Sequence, residues 1–228
     1  MTSVKADREA GHGGPGKAVD LRVRPPRQAR TQQAWNRVLE SGVQILEEGG
    51  YDAFTIAAVC ERARVPPRAL YDRVTSKDAL FLAVYEHGMA RVAADHAPFA
   101  DDALWEGLGP TATIRQAVGQ VMAIFSRHTA LLRAVILLSS AHPEVFRRGA
   151  GYTRQLRELY VQRCSPAVCG QHTDPAAAAS ASFDAVFASA VFRTAYGPGF
   201  PGTDQDADEH TARLADMQGA YLIAGGPQ

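Results

Sequence analysis

Residues 50–80, GYDAFTIAAVCERARVPPRALYDRVTSKDAL, decide the fold of the N-terminal part of this chain. They contain two short helical segments, at about 55–62 and 67–74, that are joined by a tight turn. Thr55 is a suitable N-cap for the first segment, and Pro67 suits the first turn of the second because proline lacks a backbone N–H. Apolar side chains of both segments can close a small core against a preceding helix, at Trp35, Val38 and Leu39. The stretch therefore predicts a helix-turn-helix.

The second segment exposes most of its side chains in this arrangement. It is barely two turns long, so it would not be a stable helix by itself. Five side chains remain outside the predicted core, namely those of Arg68, Ala69, Tyr71, Asp72 and Arg73. A short helix that two others hold rigidly, and that exposes such a mixture, is suited to entering the major groove of DNA.

The rest of the chain also reads as helix from Arg27 onward, without the alternation that predicts strands. The preceding helix spans about 31–48, and Gly49-Gly50 is expected to end it. A long helix starts near Thr75-Ser76, where either hydroxyl could be the cap, and 97–113 reads as a loop with a short helix around Leu104 and Trp105. Further helices are predicted at about 114–128, 130–141, 144–164, 175–196 and 209–224.

These elements predict an all-α protein in three parts. Residues 1–26 form a basic arm, rich in glycine and poor in large apolar side chains, that we expect to be disordered. Residues 27–76 form an N-terminal three-helix helix-turn-helix domain, and residues 77–228 form a larger helical domain.

Charge is distributed unevenly although the chain has a net charge of zero. Residues 1–37 carry eight Lys and Arg side chains against three Asp and Glu, and residues 81–228 carry eleven against fourteen. A basic end on a mildly acidic body fits a DNA-contacting head, but a solubilising tail would look the same.

Composition excludes several other classes of protein. A content of 46% hydrophobic and 21% charged residues is ordinary for a globular protein. The longest apolar run, 130–138, is interrupted by Arg133 and is too short to span a membrane. No secretory signal is recognisable in the sequence. We therefore expect a cytoplasmic protein without a membrane partner. Cys164, Cys169 and His172 invite a zinc interpretation, but their spacing fits no common ligand pattern and a fourth ligand is missing. We predict neither metal nor cofactor.

No catalytic motif is recognisable either. The sequence has no nucleophile elbow, no phosphate-binding glycine loop before a helix and no paired metal motif, so we do not expect an enzyme. A helical protein-interaction module without DNA binding is the alternative, and it would not explain the exposed short helix with its basic flank.

The stretch from about 30 to 84 resembles the TetR family of repressors, whereas later helices match only in number and length. The residues that fit the family pattern are Gly50-Tyr51, Thr55, Glu61, Ala63, Val65, Leu70-Tyr71, Ser76-Lys77 and Leu80. Four positions depart from it: Arg64 replaces a glycine in the turn, Pro66 a capping Ser or Thr, and Val74 a Phe, while Asp72 is unfavourable beside phosphates.

The resemblance implies a set of DNA contacts. Thr55, Lys77 and the Tyr71 hydroxyl would bind phosphates, and Arg68 would reach a guanine edge. Arg27 and Arg30 would contact the backbone or the minor groove. Each role has an alternative, since Tyr71 could lie in the core and Arg68 could merely face solvent. The predicted contact set is Arg27, Arg30, Thr55, Pro67, Arg68, Ala69, Tyr71, Asp72, Arg73 and Lys77.

The resemblance also implies a homodimer that binds a small-molecule effector. A four-helix interface would form from the last two helices, through Phe183, Phe187, Ala190, Val191, Thr194, Leu214, Met217 and Tyr221. An apolar cavity in the larger helical domain would take the ligand, lined by Tyr85, Met89, Trp105, Met122, Phe125, Ile136, Phe146 and Tyr152. In each set, the alternative is an ordinary core helix or core side chain.

Overall fold

A computed structural model describes residues 29–169, 172–200 and 206–224. These ranges contain ten α-helices and no β-strand, which confirms the all-α fold. The predicted arm at 1–26 and Arg27 lie outside the described residues. In chain order the helices are α1 (Ala29–Ala53), α2 (Ile56–Ala63), α3 (Pro67–Tyr71), α4 (Lys77–Ala94), α5 (Ala97–Ala100), α6 (Pro110–Arg127), α7 (Thr129–Ser139), α8 (Pro143–Cys164), α9 (Pro175–Tyr196) and α10 (Ala207–Ala224).

Helix ends differ from the sequence-based expectation at three places. α1 continues past Gly49-Gly50 to Ala53, because Gly50 adopts φ 65° and kinks the helix instead of ending it. α3 ends at Tyr71, since the next residues form a turn in which the Val74 N–H donates to the Leu70 carbonyl. α6 begins at Pro110, within the predicted loop, because proline is favourable at the first helical position.

α1 and α4 cross closely, and this contact joins the head (α1–α3) to the rest of the chain. A Cβ atom at Gly42 would lie 2.4 Å from a methyl carbon of Val84, so only glycine allows this approach. Phe54 and Phe81 pack edge to face beside the crossing, with ring centroids 5.7 Å apart. One apolar core therefore runs from the head into the body (α4–α10).

The body is a bundle in which α9 packs against α6, α7, α8 and α10. Between α8 and α9 the buried Tyr160 and Ser182 hydroxyls hydrogen-bond at 2.9 Å. The predicted short helix near Leu104 and Trp105 is instead α5 followed by a 3₁₀ turn. Trp105 lies just after that turn, where its indole N–H donates to the Pro98 carbonyl at 2.8 Å.

Candidate nucleic-acid interface and ligand cavity

The helix-turn-helix is formed by α2, a three-residue turn and α3. The Thr55 hydroxyl oxygen accepts a hydrogen bond from the Ala58 N–H at 3.1 Å, as expected of an N-cap. Val59, Cys60 and Ala63 bury one face of α2 against the core. The turn then requires Arg64 in the left-handed region, at φ 53° and ψ 48°, a conformation that favours glycine.

α3 is anchored by one apolar side chain within it and by another that follows it in the chain. Leu70 and Val74 are each 1% exposed and fix the helix to the core. The remaining side chains of α3 and the residue that follows it face solvent, and Tyr71 is 59% exposed, so it does not lie in the core. The exposed set is Pro67, Arg68, Ala69, Tyr71 and Asp72. Since α3 has only five residues, its orientation depends on these two anchors.

Arg73 differs from the exposed residues that precede it because it is half-buried. Its guanidinium stacks over the Trp35 ring at 5.6 Å, and its Nη2 donates to the Thr31 carbonyl at 3.5 Å. Its Nη1 is buried and has no hydrogen-bond partner among the described residues. Arg73 therefore ties the end of α3 to the start of α1, and its contact with DNA stays a prediction.

Lys77 lies at the start of α4, beside the kinked end of α1. Its ammonium is 4.0 Å from the Tyr51 ring centroid, and the Tyr51 hydroxyl donates to Asp78 Oδ1 at 3.1 Å. Ser76, rather than Thr75, caps α4 by accepting from the Ala79 N–H at 3.0 Å. Arg30 belongs to α1, but its side chain is outside the described part of the structure, as is all of Arg27.

Sequence reasoning missed two arginines that brace α2. Arg37 Nε donates to the Ala63 carbonyl at the C-terminal end of α2, at 3.4 Å. Arg62 pairs with Glu48 at 2.6 Å, and this pairing lowers the pKa of Glu48. The two pairs are separated by 26 and 14 residues, so only the folded crossing of α1 and α2 brings them together.

A cavity of about 460 Å³ lies in the body between α4, α6, α7, α8 and α9. Six predicted ligand contacts line it: Tyr85, Met89, Phe125, Ile136, Phe146 and Tyr152. Trp105 and Met122 do not line it. Trp105 stacks on Phe99 with centroids 5.6 Å apart, and Met122 is buried in the core.

Several lining residues were not predicted. Gly149 and Ala150 form part of the α8 wall, and neither carries a side chain larger than a methyl group, which leaves space in the cavity. The run Gly149-Ala150-Gly151 within a long helix is the sequence signal that could have indicated this wall. His96 also lines the cavity, and burial lowers its pKa while Asp95 partly opposes the shift.

One edge of the cavity carries an ionic network. The Tyr152 hydroxyl donates to Glu86 Oε2 at 2.8 Å, and Glu86 also accepts from Arg148. Burial, followed by the bond to Glu86, raises the pKa of Tyr152 to about 12, so the phenol stays protonated. The network joins α4 to α8.

Most of the predicted dimer contacts lie inside the subunit. Phe183, Ala190, Thr194 and Leu214 are buried in its own core, so the structure corrects their assignment to a surface. Phe187 and Val191 line the cavity, and the half-buried Tyr221 packs edge-on to His172 with centroids 4.9 Å apart. Met217 is 61% exposed and remains available to a partner.

The exposed side of α9 carries small and aromatic side chains. Ala181, Ala185 and Ala188 face solvent, followed by an aromatic cluster of Phe192, Tyr196 and Phe200 with ring centroids 4.7–5.1 Å apart. By length and composition α9 is apolar enough to cross a membrane, and 33% of its apolar window is buried in the subunit.

A rigidly held, exposed short helix joined to a helical body with an apolar cavity defines the class of one-component helix-turn-helix regulators. Residues 38–84 match the family model described as "Bacterial regulatory proteins, tetR family". The A-factor receptor protein of Streptomyces griseus is 26% identical to this chain over 113 residues, which are 50% of this chain and 37% of that protein. The chain thus aligns with little more than a third of the curated relative.

Solved structures are similar over most of the chain. A TetR-family transcriptional regulator from Mesorhizobium loti superposes with a TM-score of 0.68 at 16% identity, covering 86% of this chain and 98% of that one. A TetR-like regulator from Rhodococcus sp. RHA1 gives a TM-score of 0.56 at 22% identity, covering 89% and 100%. At these identities the likeness shows the fold. Residues 38–84 thus carry a tetR-family N-terminal segment, and the described residues share the fold of TetR-family regulators.

Proposed function

We propose that this chain is a cytoplasmic, non-enzymatic homodimer that binds a partly palindromic DNA operator and represses transcription until a small apolar molecule enters its body. The observation that carries the proposal is α3. Leu70 and Val74 hold it rigidly, while Arg68, Ala69 and Tyr71 point outward. Such a helix can insert into a major groove without rearranging the core.

Two kinds of DNA contact follow from this geometry. Arg68, exposed on α3, would bind a guanine edge through both of its terminal nitrogens, which is worth about 1–3 kcal/mol of discrimination. Thr55 and Lys77, at the starts of α2 and α4, would bind phosphates together with nearby backbone N–H groups. Tyr71 would add a phosphate contact through its hydroxyl.

The exposed face of α9 supports the dimer. Its small side chains allow a second helix to approach closely, and the aromatic cluster of Phe192, Tyr196 and Phe200 offers anchors at one end. A second copy of α9 and α10 would cover both features in a two-fold arrangement, with Met217 at its edge. Two heads would then meet half-sites about one turn of DNA apart.

α4 provides the mechanical link between ligand and DNA. Lys77 begins this helix at the head, and Tyr85 lies in the cavity wall eight residues later, about 12 Å along the axis. A ligand that binds better to one orientation of α4 would shift the population of head spacings and release the operator.

The test begins with a duplex selected by the full-length chain from a randomised 30-base-pair library. Fluorescence anisotropy then gives its affinity, and that of scrambled duplexes, at several salt concentrations. We expect Arg68→Ala to lose about tenfold or more of the preference for the selected duplex. Lys77→Ala should weaken all duplexes alike and reduce the salt slope by about one.

Arg133→Ala, an exposed change on α7, is the matched control and should bind as the unaltered chain does. If the library yields no preferred duplex, or affinity does not change with salt, a helical protein-interaction module is the better description. If Arg68→Ala keeps the full preference, α3 is not the recognition helix.

A further inference from the structure

The Tyr85 hydroxyl is a buried polar group without a hydrogen-bond partner among the described residues. Tyr85 lies on α4, is 0% exposed and lines the cavity. A Cβ atom at Gly149, in the opposite α8 wall, would lie 3.8 Å from the hydroxyl oxygen. The hydroxyl therefore lies in the cavity wall beside Gly149, and leaving it unpaired there is unfavourable.

Other hydroxyls of the cavity wall already donate to protein acceptors. Tyr152 donates to Glu86 at 2.8 Å, Thr153 to the Gly149 carbonyl at 3.0 Å, and Ser139 to the Ile136 carbonyl at 2.7 Å. Among the hydroxyls of this wall, that of Tyr85 has no hydrogen-bond acceptor in the described part of the structure. Burial and the neighbouring Glu86 raise the pKa of Tyr85, so it stays protonated and acts as a donor.

Charged groups along the wall are paired or lie at its edge. Arg148 pairs with Glu86 and Glu144, and Arg157 pairs with Asp184 and donates to Ser180 at 2.8 Å. Burial lowers the pKa of His96 and favours its neutral form. Arg154 lines the cavity, but its side chain is exposed to solvent. The interior therefore offers an uncharged donor in apolar surroundings.

We propose that Tyr85 donates a hydrogen bond to an uncharged acceptor, a ketone or ester carbonyl, on an otherwise apolar effector. This inference rests on the proposed function, since it specifies the ligand class of the same cavity. The carbonyl lies beside Gly149, and the hydrocarbon part contacts apolar residues such as Met89, Phe125 and Phe187. The carbonyl oxygen thereby becomes the partner that the buried hydroxyl requires.

The test compares three probes of similar size by titration calorimetry without DNA. Butyrophenone carries the ketone, butylbenzene lacks an acceptor, and 4-phenylbutanoate carries a charge. We expect the full-length chain to bind butyrophenone about fivefold or more tightly than butylbenzene. Tyr85→Phe should bind the two alike, because only affinity for the ketone falls, and should melt no lower than the unaltered chain.

Gly149→Ala provides a second variant. Its methyl group occupies space 3.8 Å from the hydroxyl without a clash, so it should weaken butyrophenone binding more than butylbenzene binding while preserving the fold. The inference is overturned if Tyr85→Phe retains the preference for the ketone, if 4-phenylbutanoate binds best, or if no probe binds.

Failure of the proposed function would look different. If butyrophenone binds through Tyr85 but does not change the affinity for the selected duplex, the effector role is contradicted. The proposed hydrogen bond from Tyr85 is supported in that case. If butylbenzene and butyrophenone release the duplex equally well, and both also release it from Tyr85→Phe, the effector role is supported. The part assigned to Tyr85 is then refuted.

Discussion

Arg64, in the turn between α2 and α3, occupies a backbone conformation that suits glycine. Its φ of 53° and ψ of 48° place it in the left-handed region, and among the described non-glycine residues it alone has positive φ. This conformation costs an L-residue about 1–2 kcal/mol. The Arg64 side chain is exposed, so the backbone accounts for most of the effect of replacing it. Arg64→Gly should therefore stabilise the protein.

The expected gain is smaller than the strain, since glycine also loses more conformational freedom on folding. That entropy costs about 0.5–1 kcal/mol, which leaves a net gain of about 0.5–1 kcal/mol. For a chain of this size the melting temperature should rise by about 1–4 °C. Circular dichroism melts must use equal protein concentrations, because the proposed dimerisation would make the melting temperature concentration-dependent.

Arg64→Ala is the matched control. It removes the same charge and side chain but keeps the left-handed cost, so we expect no gain in stability. Both variants should bind DNA alike, because both lose the same cation. If Arg64→Gly melts no higher than Arg64→Ala, the strain assigned to this turn does not exist.

Three further outcomes follow from the structure. Arg73→Ala should lower the free energy of unfolding by about 1 kcal/mol, measured in urea, because the stack on Trp35 is lost; an unchanged value would contradict the anchoring role. Burial lowers the pKa of His96, so the unfolded chain binds a proton first as the pH falls below about 6.5, and stability falls with it. His96→Gln should reduce this loss between pH 7 and pH 5, and an identical loss would exclude His96 as its source. Ala185→Arg, on the exposed face of α9, should dissociate the proposed dimer in analytical ultracentrifugation, whereas the exposed Ala103→Arg should not; a dimer that survives Ala185→Arg uses another surface.

The architecture of the head could be predicted because its signals are local. Thr55 and Ser76 cap their helices through side chains that bond three residues onward, and Leu70 and Val74 occupy the predicted inward positions. The predicted end of α1 at Gly49-Gly50 is wrong, because a positive φ at Gly50 can either end a helix or kink it. The choice depends on the packing of Tyr51 and Phe54 against Phe81, which is a tertiary contact.

The cavity could be predicted only in part. Large apolar side chains on α4, α6, α7 and α8 indicate a core, and six of the eight chosen residues do line the space. Whether a core contains a cavity depends on how helices fit together, which periodicity does not encode. Trp105 shows this limit, because its place is determined by the Pro98 carbonyl and the Phe99 ring, within the irregular segment before α6.

The predicted interface face of α9 is wrong because both of its faces are apolar. The prediction chose the face with Phe183 and Ala190, which packs inward, and overlooked the face with Ala185 and Ala188. Phe187 lies between them in the cavity wall, against Phe125 and Phe183 with ring centroids 5.6 and 5.5 Å away. A ligand that displaces Phe187 would therefore press on the helix that carries the proposed interface, while one that displaces Tyr85 would press on the helix that carries Lys77. Under the proposed function, a ligand in this cavity would thus change head orientation through α4 and subunit spacing through α9, and both changes would act on the distance between two recognition helices.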